Sequence, residues 1–182
     1  MTFKEKSKHY YVLGQGAIAF SAINFEVDGN MTENGKEIIH AFINFPEDFD
    51  FARKYVGGYT NDHINEFGQR KVFKIYDFGP YPIDLLEMED YKKISVEEFE
   101  ELATEMLSDY DIPEREIKYY EFIGKVKNDF EEVKTNSHEF YQLLPADWKY
   151  NDLSPFHLSS YLCGFSINRM DKILTVLQID DD

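Results

Sequence analysis

The hydrophobic pattern opens with strand-like segments. Tyr10 to Leu13 and Ile18 to Val27 are rich in Tyr, Val, Ile and Phe, and the second interleaves Phe20, Ile23, Phe25 and Val27 with Ser21 and Asn24. The run Ile38 to Phe45 reads as a further strand, and Asp28-Gly29 and Asn34-Gly35 punctuate an antiparallel connection to it. Pro46, with Glu47 and Asp48 behind it and Phe49, Ala52, Arg53 and Val56 at helical spacing, predicts a helix that Gly57-Gly58 ends. Lys71 to Tyr76 predicts another strand, stopped by Gly79-Pro80-Tyr81-Pro82.

The clearest predicted element is a helix from Val96 to about Tyr110. Ser95 and Glu98 have the spacing of a capping box, in which side chains satisfy two backbone donors that a helix start leaves orphaned. Val96, Phe99, Leu102, Ala103, Met106, Leu107 and Tyr110 form the expected apolar stripe, with Pro113 closing the helix. Beyond it, Ile117 to Ile123 is ambiguous, and its aromatic content favours a strand. Ser137 to Leu144 is a short helix candidate, and Ser154-Pro155 opens another that runs to about Leu162. The tail predicts a hairpin, with Phe165 to Ile167 and Ile173 to Ile179 flanking the turn Asn168 to Lys172. This mixture lacks a regular βαβ rhythm. It predicts an α+β fold, a mainly antiparallel sheet with several short helices packed on it, in a single domain over residues 1–182.

Charge changes the picture most. The chain carries 35 Asp and Glu against 19 Lys and Arg, a formal net charge of −16. Thirteen of the acids lie between Ile83 and Glu116, offset there only by Lys92, Lys93 and Arg115. Such a surface repels phosphate backbones and anionic lipid, so nucleic acid and membrane are excluded as expected partners. With 16 Phe and 13 Tyr there is ample material for a packed core, so global disorder is not expected. No apolar run approaches the length of a spanning helix, and no apolar signal core follows the basic start Met1 to His9, which predicts a cytoplasmic chain.

Candidate chemistry is sparse. Gly14-Gln15-Gly16-Ala17-Ile18-Ala19 has the spacing of a dinucleotide fingerprint, but the segment after it alternates like a strand, so a glycine bend between strands is expected and no cofactor. The five histidines His9, His40, His63, His138 and His157 are scattered, Asp62-His63 with Glu66 reads as a solvated loop, and no metal site is expected. Cys163 stands alone and reads as a small buried residue rather than a nucleophile paired with His138 or His157. Paired carboxylates carry no catalytic signal in so acidic a chain, the terminal Asp180-Asp181-Asp182 reads as a solvated tail, and no catalytic residues are assigned.

The concentrated acids instead suggest a recognition surface. Asp84, Glu87, Glu97, Glu98, Glu100, Glu101, Glu105 and Asp109 are the expected partner-binding residues, with Tyr76, Phe78, Tyr81, Tyr91, Tyr110, Tyr119 and Tyr120 supplying rigid contact area near them. In size, acidity and lack of a catalytic constellation the chain resembles the immunity proteins of bacterial polymorphic-toxin and contact-dependent inhibition systems. That resemblance implies occlusion of a cognate basic toxin, such as a nuclease, by carboxylates that occupy its substrate cleft. The alternatives are a small enzyme of unrecognised type, built on the glycine bend or a His–acid pair, and a self-associating adaptor.

Overall fold

The computed structural model describes residues 1–13, 18–44, 57–64, 70–78, 81–82, 86–108, 117–144 and 160–181, with backbone pairing alone for the strands between 57 and 82. The fold is α+β. Six strands form one antiparallel sheet: β1 (Thr2–Leu13), β2 (Ile18–Asp28), β6 (Tyr91–Ile94), β7 (Glu139–Leu143), β8 (Ser160–Asn168) and β9 (Ile173–Asp181). Their spatial order is β1-β2-β9-β8-β7-β6. A separate antiparallel set joins β3 (Gly57–Ile64), β4 (Arg70–Phe78) and β5 (Tyr81–Pro82).

Alternation along the strands divides the main sheet into two faces. One face carries α1 (Gly35–Ile43), whose Ile38, Ile39, Phe42 and Ile43 pack with Phe25, Phe165, Ile167, Leu174 and Val176. The other carries α2 (Val96–Ser108) and α3 (Ile117–Asn136), whose Phe99, Phe122, Val126 and Phe130 meet Phe20, Phe140, Leu177 and Ile179. The two helices run antiparallel: the Tyr119 hydroxyl donates to the Leu107 carbonyl at one end, and Lys134 pairs with Glu100 at the other. Gly164 of β8 lets the aromatic layer approach the sheet, since a Cβ there would lie 2.4 Å from Phe140 Cζ and 2.9 Å from Phe99 Cζ.

Several expected elements change type. Ile38 to Ile43 is helical, not a strand, because Asn34 and Glu37 form a reciprocal capping box and Ile38, Ile39, Phe42 and Ile43 recur on one helical face. Ile117 to Ile123 is the start of α3 rather than a strand. Phe122 begins the buried series Phe122, Val126, Phe130 and Val133, while Ile117 and Tyr120 point to solvent. Ser137 to Leu144 contains β7 rather than a helix; Phe140 and Tyr141 join opposite core clusters, as alternation requires. Of the helix expected from Ser154 to Leu162, Ser160 to Leu162 belong to β8 and the rest, like the helix expected after Pro46, lies outside the described residues. The strand expected at Tyr10 begins at Thr2, because an edge strand with Lys4, Lys6 and Lys8 facing solvent does not read as apolar. The terminal hairpin forms as expected, closed by Asn168 and Asp171, which exchange side-chain and backbone hydrogen bonds.

The stripe on α2 is narrower than expected. Val96, Phe99, Ala103 and Leu107 are buried, Met106 is half-buried, and Leu102 is 39% exposed. At about 100° per residue, Leu102 falls roughly 100° from the centre of the buried stripe, beyond the reach of the sheet. Tyr110 lies outside the described residues.

Candidate functional site

The expected acidic surface is partly assembled on α2. Ser95 and Glu98 form the capping box: the Ser95 amide donates to Glu98 Oε2 at 2.8 Å, and the Glu98 amide donates to Ser95 Oγ at 3.1 Å. This fixes the start of the helix and hence the outward direction of Glu97, Glu98, Glu101 and Glu105, all exposed. Among the described residues, none of these four carboxylates pairs with a cation, and exposed Leu102 lies beside Glu101. Glu100 is diverted from the set. It lies on the flank toward α3, 2.6 Å from Lys134 Nζ, and the hydrogen bonds from Lys134 to Glu100 and Glu131 raise the lysine pKa. Glu87 is exposed at the start of the 3-10 turn Met88–Asp90, where its amide donates to Asp90 Oδ2 at 2.8 Å. Asp84 and Asp109 lie outside the described residues.

A second site was not anticipated, and the strand register builds it. Ser7 lies opposite Asn24, Asn24 opposite Thr175, and Thr175 opposite Ser166, so four small polar residues form one transverse row across β1, β2, β9 and β8. Asn24 Nδ2 donates to Ser7 Oγ at 2.9 Å, and Thr175 Oγ1 donates to Asn24 Oδ1 at 2.6 Å. The row floors a cavity of about 400 Å³ on the side of the sheet that carries α3. Over it, Asp129 of α3 accepts from His9 Nδ1 of β1 at 2.6 Å. The Asp129 side chain is 5% exposed against 47% for His9, so a buried carboxylate holds a solvent-facing imidazole. Burial, and then the charge and hydrogen-bonding of Asp129, raise the pKa of the nearby Tyr11 phenol. Asp129 Oδ2 is itself closed to solvent, so the carboxylate interacts with His9 and the Tyr11 phenol from within the fold.

Sequence reasoning passed over His9 and Asp129 because they are 120 positions apart. A signal was present: Asp129 interrupts the apolar face of α3 beside Phe130, and Asn24 interrupts the alternation of β2. The remaining candidates have structural explanations or fall outside the described side chains. Ile18 opens a strand where a dinucleotide fingerprint needs a helix, and Leu13 pairs with Ile18 across the glycine segment. Cys163 is buried, with burial pushing its thiol pKa up, as a small core residue would be. His138 Nδ1 accepts from the Arg169 amide at 3.1 Å. His63 lies on β3, and its side chain, like His157, lies outside the described residues. Among the described residues no three His, Cys, Asp or Glu side chains converge to hold a metal ion, and no helix is long and apolar enough to cross a membrane.

No protein-family model and no curated protein matches the chain. Among solved structures, a crystal structure of citrus MAF1 aligns at 10% identity over 93% of this chain and 92% of that one, with a TM-score of 0.36.

Proposed function

We propose that this protein is an immunity-type binding protein of the cytoplasm that neutralises a cognate basic toxin by covering its active or substrate-binding site. The observation that carries the reading is the outer face of α2, where Glu97, Glu98, Glu101 and Glu105 stand exposed without cationic partners among the described residues. Unpaired carboxylates on a rigid helix raise the negative potential of the surface and steer a cationic partner toward it. Leu102, 39% exposed among them, adds an apolar contact that a purely solubilising face does not need. A nuclease cleft lined with Lys and Arg is the complementary surface, and occupation by these carboxylates excludes a phosphate backbone.

The test is co-expression with the product of the neighbouring reading frame, scored by survival, and repeated with Glu97→Lys, Glu101→Lys and Glu105→Lys combined. The expected result is protection by the unmodified chain and loss of protection by the triple variant. Full protection by the triple variant removes α2 from the interface. If the unmodified chain neither binds nor neutralises the neighbouring product, the immunity reading fails.

A further inference from the structure

We propose that the outer edge of β1 takes up an extended acidic segment of another protein, which pairs with Ser7 to Leu13 as an added strand. This edge belongs to a different element from the acidic face of α2, and the two readings stand or fall separately.

β1 ends the spatial order of the main sheet, so among the described residues it pairs with a strand on one side only. The register shifts between Glu5 and Ser7, where Lys6 has no partner on β2. From Ser7 to Leu13 the pairing is regular, residue for residue, down to Ile18. The outward backbone groups of such an edge are a template for a further strand. Natural sheets guard their edges with bulges and charge. The first part of β1 has both, in the bulge and in Lys4, Lys6 and Lys8. The second part has neither, and there Tyr10 and Val12 are 58% and 45% exposed. An edge that is only guarded gains nothing from that apolar area, whereas an added strand covers it.

Charge selects the occupant. Acids outnumber bases by 35 to 19 in this chain, yet among the described residues Lys4, Lys6 and Lys8 of β1 and Lys125 of α3 make no ion pair. Two of these cations flank the regular edge on opposite faces of the sheet. Lys8 shares a face with Tyr10 and Val12, and its Nζ lies 5.4 Å from the Tyr10 ring centroid. On the face that carries α3, Lys125 Nζ lies 5.4 Å from the ring centroid of Tyr11. Side chains of an added strand alternate between the same two faces. Carboxylates would reach Lys8 on one face and Lys125 on the other, while an apolar residue covers Tyr10 and Val12. A second copy of this chain fits less well, because its own β1 would bring Lys6 and Lys8 to an edge that already carries them, and like charges on neighbouring strands repel.

Fluorescence anisotropy of the full chain with a labelled, end-capped peptide of alternating Glu and Val tests the proposal. One comparison peptide alternates Lys and Val. The other keeps Glu and Val but is N-methylated at every amide, which retains the carboxylates and removes the backbone donors. The Glu-Val peptide is expected to bind, and each comparison peptide to bind at least about tenfold more weakly. Lys6→Glu combined with Lys8→Glu should weaken binding of the Glu-Val peptide by about tenfold or more, and Tyr10→Ser by about threefold or more. If a thermal scan shows that the double variant does not fold, Lys125→Glu takes its place, with a weakening of about threefold or more expected. No binding of the Glu-Val peptide overturns the proposal. Equal binding of the N-methylated peptide does so too, since attraction of charge alone then explains it. A dimer in sedimentation velocity that Tyr10→Arg dissociates would give the edge to a second copy and overturn it as well.

Discussion

The sheet surface beneath α2 and α3 has two halves that share strands, helices and register but differ in chemistry. At one end Phe20, Leu177, Ile179 and Leu162 meet Phe122, Val126 and Phe130 in a dry aromatic layer. A few residues further along the same strands, Asn24, Thr175 and Ser166 face Asp129 across an open cavity. The opposite face of the sheet shows that its strands do not require this change: Ile23, Phe25 and Val27 of β2 remain apolar throughout against α1. The difference teaches that the polar half is not a failure of patterning. There the chain gives up apolar burial and keeps donors and acceptors that the register pairs with one another.

The largest expected effect lies in the dry half. Phe99 is fully buried against Phe130 and Phe140, so Phe99→Ala should lower unfolding free energy by about 3–5 kcal/mol in urea titration. A loss below about 1 kcal/mol there would mean that the aromatic layer is not close-packed. Next comes Gly164→Ala, whose added methyl would sit 2.4 Å from Phe140 Cζ. Overpacking of this kind should cost about 1–3 kcal/mol, and an unchanged thermal midpoint would show that Phe140 has room to move.

In the polar half, Thr175→Val removes the 2.6 Å donor to Asn24 and should cost about 0.5–1.5 kcal/mol. Adding Asn24→Val should recover only part of that loss, because it removes the stranded Oδ1 acceptor but also the donor to Ser7. A double-mutant cycle with zero coupling would break the claim that the row acts as a unit. Smaller again is Leu102→Ala, which should cost less than about 1 kcal/mol because a 39% exposed leucine has little burial to lose. Glu101→Lys on the same helix should change stability by about 0.5 kcal/mol or less.

The last expected effect is a pH slope at the rim of the α1 face. There Glu139 accepts from the Tyr141 hydroxyl at 2.7 Å and from Arg169 Nε at 2.6 Å, while Arg169 Nη1 reaches the carbonyls of Met31 and Glu33. Burial alone would raise the Glu139 pKa, but the hydrogen bonds from Tyr141 and Arg169 and the charges of Arg169 and Lys93 bring it below its usual range. A depressed folded-state pKa contributes stability at neutral pH that is lost as pH falls through the folded value. Urea midpoints measured from pH 7 downward should therefore fall less steeply for Glu139→Gln than for the unmodified chain. Equal slopes would remove Glu139 from the acid-sensitive groups.

Local grammar explains what was legible in the sequence. The capping box Ser95–Glu98, the alternation of β2 and the polar turn of the β8–β9 hairpin are each set by neighbours within a few residues, and each forms where expected. The α+β class followed from the mixture of those signals. Where local signals tied, the environment broke the tie. Ile38 to Ile43 and Ile117 to Ile123 have strand-like composition, yet a capping box in one case and a continuing apolar face in the other make them helices. Leu102 looked equivalent to Phe99 at helical spacing, and only the position of the sheet and α3 decided which of the two was covered.

The sequence by itself therefore determined the short-range facts: the strength of the strands, the acidic outward face of α2, and a net charge of −16 that constrains the choice of partner. Only the tertiary structure decided the cavity. Its floor needs a register that sets Ser7, Asn24, Thr175 and Ser166 side by side, and its wall needs His9 and Asp129 within 2.6 Å across 120 positions. Register and long-range closure depend on packing summed over the whole sheet, and no window of neighbouring residues contains that sum.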